Sequence, residues 1–316
     1  MKTVLLVDAL NLFTRHFVAN PSMSIHGHHA GGMVGFLNGI RLLNERLRPS
    51  QVIVIWEGGG SSRRRAIYSQ YKAQRRAQKL NRFYGDEIPD SVQGRNNQIS
   101  VIVEILKKTP VSQIYVPDCE ADDVIGYLAR YKLKDNKKVI VSSDRDFYQL
   151  LNENVSMFSL SKKRFILPET VLKENGISAN NFCLARAICG DTSDNIGGIK
   201  GAGIKTVSKR FSGMASSQSM TIDDIINESK KMSMGKRIPK IYKEILSNED
   251  IVKRNWKLMY LDTNNLSAYQ IKNIDDTIDT FNPVRDKISV MRTLIREGIQ
   301  TLDVDRLFLS FSTMDL

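Results

Sequence analysis

Four short apolar segments in the first half of the chain are each followed closely by acidic residues. The segments occupy residues 3–7, 51–56, 113–116 and 138–142, and stretches with helical spacing of apolar residues lie between them. Apolar runs of this length that alternate with helical patterns predict parallel strands joined by helices. The sequence therefore predicts an α/β fold with a mostly parallel sheet and helices on both faces.

Further elements are predicted outside this alternation. A hairpin is predicted over residues 155–158 and 164–167, and a small, polar loop over 213–219. The boundary between the α/β body and a helical part is expected between residues 168 and 213. Helices are predicted over about 32–46, 96–108, 121–131, 147–151, 168–175, 179–189, 205–211, 223–231, 239–262 with a break, and 283–297.

Carboxylates follow the predicted strands, with Asp8 after the first strand and Glu57 after the second. Because ligands of parallel sheets bind outside the carboxyl ends of the strands, we expect these acids to lie together. Grouped carboxylates need cations to offset their repulsion, and oxygen ligands without His or Cys favour Mg²⁺ or Mn²⁺ over zinc. The predicted metal-ligating residues are Asp8, Glu57, Glu120, Asp122, Asp123, Asp144, Asp146, Asp191 and Asp194.

A purely structural explanation stays open for part of this set. Acids in the first turn of a helix complement the helix dipole, which accounts for the acids within 122–123 and 191–194 separately. It does not account for acids at three strand ends. Three cysteines without metal-ligand spacing indicate neither a disulfide framework nor a zinc site.

The positive charge of the chain is concentrated in one segment. Residues 63–95 hold nine Lys or Arg and three Asp or Glu, which is half of the formal net charge of +12. As a helix, this segment places aromatic rings between cations along one stripe, which suits single-stranded nucleic acid. A solvated charged helix is the plain alternative. The stripe consists of Tyr68, Tyr71, Lys72, Arg75, Lys79 and Arg82.

Four motifs in this order resemble the 5′ nuclease, or flap endonuclease, family. They are VDALNL at 7–12, EADDVI at 120–125, SSDRDFYQLL at 142–151, and GDTSDNI continuing to KGAGIKT at 190–206. The family includes the 5′–3′ exonuclease domain of bacterial DNA polymerase I and stand-alone bacteriophage enzymes. The resemblance spans about residues 3–212, and the last hundred residues carry no matching motif.

The resemblance implies a PIN-like catalytic body over residues 1–180, with a helical arch at about 61–95. It implies a helical DNA-binding region over 181–316, with a helix–three-turn–helix element at about 181–212. Two Mg²⁺ (or Mn²⁺) ions are implied, and K⁺ on the carbonyls of the glycine loop, residues 197–203, is a further expectation. One divalent ion is expected at Asp8, Glu57, Glu120 and Asp122, and the second at Asp123, Asp144, Asp146, Asp191 and Asp194. Glu57 stands where the family usually has Asp.

The resemblance also implies roles for basic residues. Lys72 is the first candidate for an electrostatic catalyst. The positions that match contacts to the scissile phosphate or the flap are Arg15, Arg64, Tyr71, Lys72 and Arg75. The predicted DNA-binding residues are Lys72, Arg75, Arg76, Lys79, Gly198, Lys200, Gly201, Gly203, Lys205 and Lys209.

The predicted function is a metal-dependent 5′ nuclease that acts on 5′ flaps, nicks and 5′ ends of branched DNA, including RNA primers at replication junctions. A catalytically silent DNA-junction binder and a PIN-type ribonuclease are the alternatives. A separate polymerase or single-strand-binding protein is the expected partner, and a monomer is expected. Without a signal peptide or an apolar run of about 20 residues, a cytoplasmic protein is expected, in the host cytoplasm if it is phage-encoded.

Overall fold

A six-stranded sheet forms the centre of the protein, in the order β3-β2-β1-β4-β5-β6. The computed structural model describes residues 2–74, 92–234 and 238–314. Strands β1 to β5 pair in parallel and β6 is antiparallel to β5. The strands are β1 (Thr3–Asp8), β2 (Gln51–Trp56), β3 (Ser112–Tyr115), β4 (Lys137–Ser142), β5 (Val155–Ser159) and β6 (Arg164–Ile166), and a small hairpin joins β7 (Gly190–Asp191) to β8 (Ile196–Gly197).

Fourteen α-helices lie in the described part of the chain. A π-helix spans Leu128–Lys132 and a 3₁₀ helix spans Arg145–Leu150. The α-helices are α1 (Ala9–Ala19), α2 (Gly31–Leu47), α3 (Ser62–Ile67), α4 (Val92–Leu106), α5 (Ala121–Tyr127), α6 (Pro168–Asn175), α7 (Ala179–Cys189), α8 (Ile204–Arg210), α9 (Ile222–Met232), α10 (Lys240–Ser247), α11 (Glu249–Met259), α12 (Ala268–Asp279), α13 (Lys287–Arg296) and α14 (Val304–Ser310).

Both faces of the sheet are covered by helices, as predicted. Successive side chains of a strand point to opposite faces. In β1, Leu5 and Val7 therefore join a core with α1, α2 and α4, while Val4 and Leu6 join a second core with α5 and α7. The predicted α/β class, a mostly parallel sheet with helices on both faces, is confirmed.

The C-terminal helices are divided between these two cores. Helices α9 to α11 contribute to the core with α5 and α7, whereas α13 and α14 pack against α4 and α2. The chain after residue 180 thus contacts both faces of the sheet. The division into units at residue 180 stays a prediction.

Several helices differ from those predicted. Helices α1, α12 and α14 were not predicted, whereas the break predicted within 239–262 is present at Asn248, between α10 and α11. Helix α1 begins directly after β1, where the Asp8 side chain accepts the Asn11 N–H as its N-cap. None of the helices within the described ranges is both long and apolar enough to cross a membrane.

Candidate active site

The acids after β1, β2, β3 and β4 lie at one edge because these four strands are parallel. Direct hydrogen bonds connect the strand ends. The Ala121 N–H donates to Glu57 Oε2 at 3.2 Å, which joins the ends of β2 and β3. The Ser142 hydroxyl donates to Asp8 Oδ2 at 2.9 Å and accepts the Asp144 N–H at 3.1 Å, which joins β1 to β4. The predicted edge therefore exists, and Ser142 is a member that the sequence did not reveal.

Burial makes the charges of these acids costly. It raises the pKa of Asp8 to about 6, and Asp144 and Glu57 push it in the same direction. It also raises the pKa of Asp146 to about 6, with Asp144 as the next cause. The pKa values of Asp122 and Asp144 are raised by burial too, and neighbouring acids add to both shifts. Carboxylates in this situation favour a bound cation.

Acidification is therefore expected to stabilise the metal-free protein. A raised folded-state pKa means that the folded protein binds these protons more tightly than the unfolded chain, so its stability rises as the pH falls from about 7 towards 4. Thermal unfolding in chelator should show a higher midpoint at about pH 5.5 than at 7.5, with a smaller difference for Asp8→Asn. An equal pH response of the two proteins would contradict the assignment. Mn²⁺ affinity should fall below about pH 6, because protons compete for the same oxygens.

Glu120 has three donors around one carboxylate oxygen. Its Oε2 accepts hydrogen bonds from the Tyr71 hydroxyl at 2.9 Å and Lys72 Nζ at 2.8 Å, and Arg64 Nη1 lies 3.2 Å away. Burial opposes ionisation, but Arg64 and Lys72 hold the pKa of Glu120 below its usual value. Its Oε1 is buried and has no hydrogen-bond partner within the described residues. A buried, charged oxygen without a partner suits a cation ligand.

Arg186 of α7 joins two other predicted ligands. Its Nε lies 3.0 Å from Asp146 Oδ1, and its Nη2 binds Asp191 Oδ2. Asp191 Oδ1 also accepts the Ser193 N–H at 2.9 Å and the Ser193 hydroxyl at 2.7 Å. Burial opposes this ionisation, but these donors hold the pKa of Asp191 below its usual value. The sequence offered no signal for Arg186, since its two partners come from segments 5 and 40 residues away.

The structure places Asp123 and Arg64 differently from the predictions. Both Asp123 oxygens are bound by the guanidinium of Arg64, and Asn265 Nδ2 donates to Oδ1 at 3.0 Å. Arg64 has an exposed fraction of only 1%. In this arrangement the Asp123 oxygens are engaged by Arg64 and Asn265, and the Arg64 guanidinium is engaged by Asp123, Glu120 and the Leu258 carbonyl, so neither side chain is open to a metal ion or to DNA.

The other basic residues predicted near the acidic edge are placed as follows. Lys72 Nζ lies 3.9 Å from Asp194 Oδ2, and the backbone N–H of Lys72 donates to the Asp194 carbonyl at 2.9 Å. Arg15 is exposed on α1. The predictions for Arg75, Arg76, Lys79 and Arg82 lie outside the described residues.

No three Asp, Glu, His or Cys side chains within residues 2–74, 92–234 and 238–314 are grouped closely enough to hold a metal ion as they stand. The bonds that Arg64, Lys72 and Arg186 make to acid oxygens give a physical reason. The division of the acids between two ions therefore stays a prediction.

The glycine loop joins α7 to α8 through the β7–β8 hairpin. A Cβ on Gly198 would lie 2.0 Å from the Cys189 carbonyl oxygen, so this position requires glycine. Gly201 has φ +78°, and Gly203 is the N-cap of α8. The three cations predicted to bind DNA here are all exposed: Lys200, Lys205 and Lys209. This arrangement accords with a helix–turn–helix grip on phosphate, which stays a prediction.

Residues 3–176 match the family model described as the 5′-3′ exonuclease, N-terminal resolvase-like domain. The chain belongs to the 5′–3′ exonuclease family. A 5′-3′ exonuclease of Aquifex aeolicus is 34% identical over 208 residues, which cover 65% of this chain and 68% of that protein. DNA polymerase I of Deinococcus radiodurans is 33% identical over 209 residues, or 66% of this chain and 20% of the polymerase. The predicted family and enzyme class, a 5′ nuclease, are confirmed.

Two solved structures share the fold of this 5′–3′ exonuclease. A flap endonuclease of bacteriophage T5, in a product complex with DNA and metal ions, has a TM-score of 0.70 at 22% identity, covering 88% of this chain and 98% of the T5 chain. The catalytic core of Rad2 with a DNA substrate has a TM-score of 0.53 at 14% identity, covering 100% of this chain and 92% of the catalytic-core chain. The likeness extends beyond the matched N-terminal domain into the C-terminal helices.

Proposed function

We propose that this 5′ nuclease uses two divalent metal ions, Mg²⁺ or Mn²⁺, to hydrolyse phosphodiester bonds at 5′ flaps, nicks and 5′ ends of branched DNA. The observation that carries the proposal is the set of buried acids at one sheet edge, with Lys72 bound directly to Glu120 of that set. A cation placed among the acids is suited to receive a phosphate oxygen. The relatives named 5′-3′ exonuclease support the polarity of the reaction.

The acids fit divalent ions chemically. All are oxygen donors, and several have pKa values raised by burial and mutual repulsion, which a bound cation would relieve. When bound, two such ions activate water and offset charge on the phosphate during in-line displacement. We assign one ion to Asp8, Glu57, Glu120 and Asp122, and the other to Asp144, Asp146, Asp191 and Asp194.

Lys72 and Tyr71 act on the phosphate side of this edge. The Lys72 side chain is 17% exposed beside Glu120, which supports assigning its ammonium to an oxygen of the scissile phosphate. Tyr71 stays protonated because burial, together with the charge of Glu120, raises its pKa above the usual range. Its hydroxyl therefore donates a hydrogen bond to Glu120 and does not act as a base.

Duplex DNA would be held away from the cut by the glycine loop. Lys200, Lys205 and Lys209 supply cations, while glycines let backbone N–H groups approach a phosphate at the start of α8. K⁺ on the loop carbonyls is part of this proposal. We extend the proposal to RNA primers, and to a separate polymerase or single-strand-binding protein as partner of a monomeric enzyme.

A panel of 5′-labelled substrates tests this function. Flapped, nicked, gapped and RNA-primed duplexes, with single-stranded RNA as the comparison, are incubated with Mg²⁺ or with chelator and read at nucleotide resolution. We expect Mg²⁺-dependent cuts near the 5′ end or the flap base. Binding without cleavage would favour the silent junction binder, and equal cleavage of single-stranded RNA and flapped DNA would favour a PIN-type ribonuclease.

A further inference from the structure

Arg64, near the start of the basic segment 63–95, forms a buried bidentate ion pair with Asp123. The Arg64 Nη2 lies 2.7 Å from Asp123 Oδ1, and Nη1 binds Oδ2. Arg64 is the largest fully buried side chain in the described part of the protein, and Asp123 is 1% exposed. Charges so deeply buried favour staying paired, because separation would leave the Asp123 carboxylate buried without its cation.

The pair connects three parts of the chain. Arg64 belongs to α3, whose first turn is fixed where Ser61 Oγ accepts the Arg64 N–H at 3.2 Å. Asp123 belongs to α5, which begins at the acidic edge. Arg64 Nε donates to the Leu258 carbonyl of α11 at 2.8 Å, and Asn265, beyond α11, donates to Asp123. The bonds therefore fix α3 to α5 and to the C-terminal helices.

The position of Lys72 depends on this attachment. After α3 the chain turns through residues 68–74, and Lys72 itself has φ 57°, a conformation that side chains rarely adopt. The contacts that hold it there include a hydrogen bond from its backbone N–H to the Asp194 carbonyl and an ion pair from its ammonium to Glu120. Tyr68 adds a contact, since the Arg254 guanidinium lies 4.3 Å from its ring centroid.

We propose that Asp123 and Arg64 are positioning residues, which act by holding residues 62–74 so that Tyr71 and Lys72 reach Glu120. Asp123 then differs from its neighbour Asp122 in role, although the two are adjacent acids in the first turn of α5. The proposal rests on the proposed function for the use of Lys72 in cleavage. The Arg64–Asp123 ion pair, and the inference that Asp123 does not bind a metal ion, do not depend on the proposed function.

Asp123→Asn and Asp122→Asn form a matched pair for the test. For Asp123→Asn we expect Mn²⁺ binding, measured by calorimetry, to stay within about twofold of the parent, while trypsin cuts faster within residues 62–74. For Asp122→Asn we expect Mn²⁺ affinity to fall at least about tenfold with unchanged trypsin cutting. A tenfold loss of Mn²⁺ affinity in Asp123→Asn would overturn the proposal. These two readouts need no nuclease activity, so failure of the proposed function would be recognised separately.

Kinetics distinguish positioning from general support of the fold. In a double-mutant cycle, Lys72→Ala should cost far less in the Asp123→Asn background than in the parent, because Lys72 is already displaced. Equal costs in both backgrounds would contradict a positioning role. If Asp123→Asn fails to fold, Arg64→Lys replaces it in every arm. Arg64→Lys keeps the positive charge but loses the bidentate geometry and the hydrogen bond to the Leu258 carbonyl, so the same outcomes are expected.

Discussion

Replacing Lys72 with alanine is expected to lower the single-turnover rate of flap cleavage by about 100-fold, while the Kd for DNA changes by less than about threefold. The reason is local. The ammonium lies 2.8 Å from a Glu120 oxygen at the acidic edge, which is where the proposal locates the phosphate on which charge develops during displacement. Rapid-quench measurements at saturating DNA give the rate, and fluorescence anisotropy in Ca²⁺ gives the affinity.

Lys200→Ala is the matched control for Lys72→Ala. Lys200 is exposed in the glycine loop and is proposed to contact duplex phosphate only. Its loss should weaken DNA binding and reduce the salt dependence of the affinity by about one unit of slope, with little change in rate at saturation. An unchanged single-turnover rate in Lys72→Ala would remove Lys72 from the chemistry.

The double substitution Asp144→Asn with Asp146→Asn is expected to lower cleavage by about 10⁴-fold or more, because several kcal/mol of transition-state stabilisation depends on the ions. Both residues follow β4, and both have pKa values raised by burial and by nearby acids. DNA binding should persist or tighten, since two negative charges near the phosphate are removed.

An acid away from this edge provides the control for the double substitution. Asp135 is exposed, shortly before β4 at the opposite end of that strand. Asp135→Asn should therefore cleave the flap substrate at the parent rate. Retention of substantial Mg²⁺-dependent cleavage by the Asp144 and Asp146 double variant would show that the chemistry takes place elsewhere.

The sheet and its acidic edge were predictable because each depends on a local pattern. Short Val- and Ile-rich runs become buried parallel strands, and an acid placed just after such a run must lie at the carboxyl edge of the sheet. Helix α1 was missed because it begins at Ala9, with no loop between it and the last residue of β1, Asp8. Its stability comes from the packing of Leu12, Phe13 and Phe17 on the sheet, which is a tertiary effect.

The roles of individual charged residues were less predictable. Asp122 and Asp123 are adjacent in sequence, yet Asp122 lies among the other acids, whereas Asp123 is ion-paired with Arg64, 59 residues earlier. Arg186 and Ser142 join the site through partners up to 134 residues away. Such pairings depend on side-chain packing between distant segments, and no spacing rule within a single sequence encodes them.

Calorimetric titration of Mn²⁺ into the metal-free chain tests the central claim most directly, namely that the acids after the strands form a divalent-metal centre. The account predicts binding of two ions per chain at about pH 7.5, with affinity that falls below about pH 6. It also predicts loss of at least one ion in the Asp144→Asn and Asp146→Asn double variant. Absence of binding, or the same two ions bound with unchanged affinity by that variant, would contradict it.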